Sequence, residues 1–330
     1  MSSSATAMSL PTRPAPAGRV RSFLLRLRSG DEIAHLITLM FASTIFLVTV
    51  LLVYELYKNS ALPRHKFGWA FFVTQTWDPV FENFGALPFI YGTLVTSALA
   101  LLMAVPLGVG AAIFLAELAP RTISDALTFV IELLAAVPSV IIGVIGIFVL
   151  VPFMRLHGEP FLKATLGTLP LFKGPIYGIG FLTAGVVLAI MVVPFIISVS
   201  REVLLAVPVD QREAALALGA TKWETTWKVV VPFARTGIFG SIFLSLARAL
   251  GETMAVTMVI GNNPKISASL FAPGYSIAAI IANEFSEATG DLYVQSLVEL
   301  GLVLFILTII LNGLARLMIV ATAKKGTSQE

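Results

Sequence analysis

Arg248 is a lone cation in the apolar stretch ALARALGETMAVTMVIG, and Glu252 follows four positions later. A charge at the centre of a membrane-spanning helix is costly, so each one needs a reason. Residues four apart share a helix face, where these two charges can pair. One reading is an internal salt bridge that fixes helix packing. The other is a station on the path of an anionic solute. A guanidinium stays charged when buried and presents a planar fork of donors that matches an oxyanion. The neighbouring carboxylate would keep the empty site from becoming a deep anion trap, because conduction needs binding firm enough for entry and weak enough for exit. Ser245 and Thr253 are candidate neutral donors, as is Thr257 unless it bonds its own helix backbone. Ser139 follows Pro138 in AAVPSVIIG, where a proline frees backbone groups and a hydroxyl could line a cavity; packing explains it equally well.

A second constellation is polar and gapped: QREAALALGATKWETTWKVVVP, from Gln211 to Pro232. Asp210 and Glu213 have the spacing of a capping box, which satisfies backbone donors at a helix start. The helix through Glu213, Ala214 and Ala215 would span only about 8 residues, roughly 12 Å. Gly219 supplies the left-handed residue that ends it. Thr221 and Glu224 form a second capping box, and Pro232 stops the second helix or kinks it. Such a two-helix hook suits a partner protein better than lipid. Other carboxylates are weaker signals: Glu55 and Glu117 near span ends read as solvated at the interface, while Glu132 and Glu299 lie deeper and could face a pathway or a partner subunit.

The elements that must carry these residues are membrane spans. The chain is 57% hydrophobic and 12% charged, with a mean hydropathy of +0.91, outside the globular norm. A helix needs about 20 apolar residues to cross a bilayer. Six stretches qualify, at about 34–57, 90–116, 126–154, 178–199, 237–260 and 292–319. Arg248 then falls about 11 residues into the fifth, roughly 16 Å along it. The first run is too long for a signal-peptide core and reads as an uncleaved span. It follows a Ser/Ala/Pro-rich, basic segment at 1–30 that reads as a disordered cytoplasmic tail; residues 31–330 are expected to form one permease domain with its hook at about 200–236. With the N-terminus inside, fourteen Lys and Arg residues lie on the cytoplasmic side and seven outside, so both termini and the hook are cytoplasmic. The net charge of +3 therefore speaks of topology rather than nucleic acid.

Outside, residues 58–89 hold Trp69, Phe71, Phe72, Trp77, Phe81 and Phe84, a density that reads as a helix lying in the interface. A short outer helix is expected at 276–287. With no cysteine and three scattered histidines (35, 65 and 157), the chain offers no disulfide, no thiolate and no metal site. It has no G-x4-GK[ST] loop and no Ser/His/Asp constellation, so it is not expected to be an enzyme.

Glu213-Ala214-Ala215, then Gly219, then Val229, Val231 and Pro232 resemble the EAA loop of bacterial ABC importer permeases, where it docks on the ATPase. Ile and Leu are usual where this chain has the two valines. ARALGETMAV, LPFIYGTL at 87–94 and AAVPSVIIG at 135–143 look like the PstC family of phosphate importer permeases, over most of the chain after about residue 30. The paralogous PstA permeases share related patches, but GETMAV and the aromatic outer segment favour PstC. The resemblance implies an all-α, six-span, type I (MetI-like) permease in a bacterial inner membrane. It also implies a second, PstA-like permease, two PstB-like ATPase subunits that bind the ATP and magnesium, and a periplasmic PstS-like phosphate-binding protein, with lipid around them. In that family the residues here numbered Arg248 and Glu252 are implicated in phosphate passage. Competing readings are a permease for sulfate or molybdate, a membrane scaffold or sensor that moves no solute, and a secondary transporter, which would give the hook no task.

Overall fold

The computed structural model describes residues 31–327, and the expected tail at 1–30 lies outside them. Six helices in the described residues are long and apolar enough to cross a membrane: Ala34–Lys58, Leu87–Leu118, Ser139–Leu166, Phe181–Leu205, Lys222–Leu250 and Asp291–Leu317. The chain forms two units, one ending at Glu55 and one beginning at Leu56. The first is made of the first span, with exposed apolar side chains such as Leu39, Phe46 and Leu51. The second holds the other five spans.

The fourth span is the axis of that second unit. Its most apolar window is 67% buried, against 33% for the second and sixth spans. A helix apolar all round can sit only where neighbours cover every face. Glycines let those neighbours approach: Gly108 of the second span lies against Ile196, and Gly185 of the fourth against Leu99.

Proline shapes the helices through one repeated device. The described residues contain four π-helical segments, Phe114–Leu118, Gly146–Leu150, Met154–Gly158 and Thr226–Val230. Each ends immediately before an X-Pro pair, and the residue preceding the proline (Ala119, Val151, Glu159 or Val231) donates its N–H to the carbonyl five residues back. A proline has no N–H for the carbonyl four residues back and collides with it; the wider π turn relieves both problems. The helix therefore does not stop at Pro232 but runs from Lys222 to Leu250.

Two expected spans need correction. The apolar run at 126–154 is divided: a helix covers Arg121–Ala135, the chain turns extended at Pro138 (φ −58°, ψ 136°), and the third span starts at Ser139. The residue before a proline is pushed out of the helical region, so the run cannot continue through Val137. Glu132 is consequently exposed on the separate helix rather than inside a span. The expected fifth span at 237–260 is shifted and broken. It begins at Lys222, ends at Leu250, and leaves Met254–Ile260 as a separate short helix closed by Gly261 at φ +93°.

The outer segment at 58–89 is not one interfacial helix. It makes short helices at Ala61–Phe67 and Ala70–Val73, then a small hairpin pairing Trp77 with Phe84 and Asp78 with Asn83. Phe71, Phe84 and Phe89 are buried in one cluster with Tyr275, Ile277, Leu297 and Leu300. Rings packed edge to face, such as Trp77 on Phe89 at 5.0 Å, gain more than they would in a wet headgroup layer. Trp69 and Phe81 remain exposed. The short helix expected at 276–287 forms at Ile277–Glu284, with Ser276 capping Ala279 N–H, and Ile277 N–H donates to buried Thr93 Oγ1 at 2.9 Å.

Candidate functional site

Arg248 lies in the last turn of the fifth span, where the helix ends at Leu250. Its side chain is exposed, with the guanidinium carbon 5.9 Å from the centre of the Phe195 ring on the fourth span. Glu252 is beyond the helix end, so the expected four-residue pairing on one face does not arise. Its Oε1 accepts from Ala255 N–H at 3.4 Å instead, at the start of the Met254–Ile260 helix. Among the described residues no ion pair joins the two. The helix break thus separates the two groups: the carboxylate bonds the start of the next helix, and the guanidinium has no ion-pair partner among the described residues.

The expected neutral donors divide. Ser245 is fully buried, and its hydroxyl donates to Ser241 O at 2.8 Å, which uses its one proton. Thr253 Oγ1 donates to Gly251 O at 3.3 Å, inside the break. Thr257 donates to Thr253 O at 2.8 Å, the backbone alternative. Ser139 opens the third span. Gly143 of that span meets Ala255 and Met258, and Gly146 meets Val259, so the two helices run in the same direction. That register brings Ser139 to the same end as the break at Gly251–Thr253.

The hook has its own geometry. A helix spans Val209–Ala217 and follows Pro208, without a side-chain cap. Asp210 therefore makes no capping box with Glu213: it sits inside the first turn, where its charge still suits the helix dipole. Pro208 takes the N-cap position instead, at φ −56° and ψ 139°, with its φ held by the ring. Glu213 and Ala214 are exposed and Ala215 is half-buried. Gly219 is left-handed at φ +88° with open space around it. At Thr221 the capping box is complete: Thr221 Oγ1 accepts from Glu224 N–H, and the Glu224 carboxylate accepts from Thr221 N–H. Just before Gly219, at the end of the first hook helix, Leu218 is 90% exposed, an apolar tip with no cover from its own chain.

One group at the hook was not singled out for this role in the sequence. Arg212 donates from Nη2 and Nε to Glu117 at 2.8 and 3.3 Å, and also to the carbonyls of Leu204, at 2.7 Å, and Val207. Glu117 closes the second span and is only 10% exposed, so it is not merely solvated at the interface. The hook helix is latched by one side chain to the ends of the second and fourth spans. The sequence signal is slight: a basic residue preceding Glu213, and a carboxylate just before Pro120. Away from the hook, Glu284 accepts from Trp77 Nε1 at 2.8 Å and Tyr293 Oη at 2.7 Å, joining hairpin, short helix and last span.

A family model described as binding-protein-dependent transport system inner membrane component matches residues 104–323. The chain is 47% identical over 304 residues to the phosphate transport system permease protein PstC of Mesorhizobium japonicum, covering 91% of this chain and 92% of that one. It is 52% identical over 262 residues to the PstC of Xylella fastidiosa strain Temecula1, covering 78% and 81%. The probable PstC of Methanocaldococcus jannaschii is 37% identical over 292 residues, covering 87% and 92%. Among solved structures, a chain of a bacterial ABC transporter that imports the acidic polysaccharide alginate superposes with a TM-score of 0.59 at 15% identity, covering 89% of this chain and 98% of that one. A chain of the inward-facing MetNI methionine ABC transporter gives 0.52 at 17% identity, covering 74% and 99%. These likenesses place the fold among type I, MetI-like ABC importer permeases.

Proposed function

The chain belongs to the family of binding-protein-dependent transport system inner membrane components, within it to the PstC permeases, and on that premise we propose that it is the membrane permease subunit of an ATP-driven phosphate importer. It is a multi-pass membrane protein and a subunit of an ABC importer. The observation that carries phosphate as the cargo is identity near one half to phosphate permeases along almost the whole chain.

In this reading the chain supplies half of a translocation path and a second, related permease the other half. Two ATPase subunits receive the exposed hook around Glu213, Ala214, Ala215 and Gly219, and hydrolyse ATP with their own magnesium. A periplasmic binding protein delivers phosphate. The membrane is the bacterial inner membrane, with both termini and the hook in the cytoplasm. Closure of the ATPases moves the hooks, and the latch of Arg212 on Glu117 passes that motion to the second and fourth spans. Phosphate released at the outer side passes Arg248, whose unpaired fork offers parallel donors to two of its oxygens. The helix break at Gly251–Thr253 supports this role, because non-helical backbone at membrane depth is tolerated where it lines a cavity or lies against protein.

The test is labelled-phosphate uptake in cells that lack their own importer and carry this chain with its partner subunits. Arg248→Gln removes a charge-assisted contact and is expected to lower uptake about tenfold or more at unchanged membrane abundance. Sulfate and molybdate in excess are expected to compete poorly. Uptake indifferent to the substitution returns Arg248 to a packing role, and competition by sulfate or molybdate changes the cargo.

A further inference from the structure

The last span carries a buried carboxylate that transport through Arg248 does not use. Glu299 is 2% exposed and lines a cavity of about 340 Å³ together with Arg64, Tyr57, Trp69, Phe72 and Ile306. Arg64 is held in place from behind: its Nε donates to Ser60 O at 3.2 Å and its Nη2 to Tyr57 O at 2.6 Å. Its guanidinium carbon also lies 3.5 Å from the centre of the Tyr57 ring. Arg64 Nη1 and Glu299 Oε2 are nonetheless buried without a hydrogen-bond partner. A guanidinium and a carboxyl group, each lacking a partner at one atom, border the same cavity, and no ion pair or hydrogen bond joins them among the described residues. Buried polar groups of this kind are costly unless something satisfies them.

The surroundings say what that is. The second span starts beside the last one, where Phe89 clusters with Leu297 and Leu300, and ends at the hook, where Glu117 meets Arg212, so the Asp291 end of the last span lies away from the hook. Glu299 is about 12 Å along the last helix from Asp291, within the first third of a 27-residue span. Below it, Leu302, Val303 and Ile306 continue the cavity wall, at the three-, four- and seven-residue steps that form one helical stripe. The site has a guanidinium and a carboxyl group at its head and an apolar stripe leading from them along the last span.

We propose that this cavity binds one zwitterionic aminophospholipid of the leaflet opposite the hook, its phosphate on Arg64, its ammonium on Glu299 and an acyl chain along Leu302, Val303 and Ile306. An anionic glycerol lipid satisfies only the arginine. The ammonium is the group that answers the carboxylate.

The purified, assembled transporter is titrated with phosphatidylethanolamine and, separately, with phosphatidylglycerol, and bound lipids are resolved by native mass spectrometry. The native complex is expected to hold phosphatidylethanolamine about tenfold more tightly. Glu299→Gln should erase that preference while leaving phosphatidylglycerol binding in place, and Arg64→Gln should weaken both lipids. Ile306→Trp fills the groove without touching either charge and should lower both, which keeps the test valid if a charge variant fails to assemble. Equal binding of the two lipids by the native complex, or a preference that survives Glu299→Gln, overturns the proposal. So does an Ile306→Cys cross-link to the partner permease, which would put a protein helix in the groove.

Discussion

At the scale of single residues, the latch at the hook has the most definite consequences. Glu117 and Arg212 are 10% and 19% exposed, so solvent screens their attraction only in part. Neutralising Glu117 to Gln keeps an acceptor for Arg212 but removes the charge, at a cost of about 1–2 kcal/mol. Arg212→Gln should cost more, because it also strands the carbonyls of Leu204 and Val207. Thermal melts of the assembled transporter read that order, and equal losses would reduce the latch to a simple ion pair. If Arg212 carries motion as well as stability, phosphate uptake should fall further than ATP hydrolysis in the same variants. At Arg248 the outcome differs in kind, since an exposed, unpaired guanidinium can be removed with little effect on folding while uptake is lost.

At the scale of elements, packing can be separated from helix propensity within one span. Gly92 and Gly110 both lie in the second span. A Cβ at Gly92 would come 2.1 Å from Tyr275 O, whereas one at Gly110 would meet nothing within 4 Å. Gly92→Ala is therefore expected to destabilise by about 1–3 kcal/mol through overpacking against backbone. Gly110→Ala should be neutral or stabilising by about 0.5–1 kcal/mol, because it replaces a mid-helix glycine with the best helix former. Membrane abundance and melting temperature check both; similar behaviour at the two sites would contradict the close approach of Gly92 to the Tyr275 backbone. The fifth span illustrates how local rules and apolar runs disagree. Its apolarity continues to Ile260, but the helix ends at Leu250, and the chain restarts at Met254 with Glu252 bonded to Ala255 N–H.

At the scale of the whole molecule, topology is directly testable because the chain contains no cysteine. A single Leu218→Cys, at a hook tip 90% exposed, should react with a membrane-impermeant maleimide only after the membrane is opened. Gly290→Cys, between the outer helix and the last span, should react in intact spheroplasts. The reverse pattern would invert the orientation and remove the hook from ATP. The amino-acid sequence by itself determined the class, the number of apolar runs and the punctuation of the hook at Gly219 and Thr221. Apolar length and capping are local chemistry, settled within about twenty residues. The Asp210 capping box shows the limit even there, since Pro208 starts the same helix by another route. Only the tertiary structure decided who meets whom. Arg212 finds Glu117 across 95 positions, and Trp77 finds Glu284 across 207. Arg248 loses its expected partner because the helix ends between them. Those outcomes depend on where helices stop and which faces they bury, and a carboxylate's spacing along the chain carries no record of what will be folded against it.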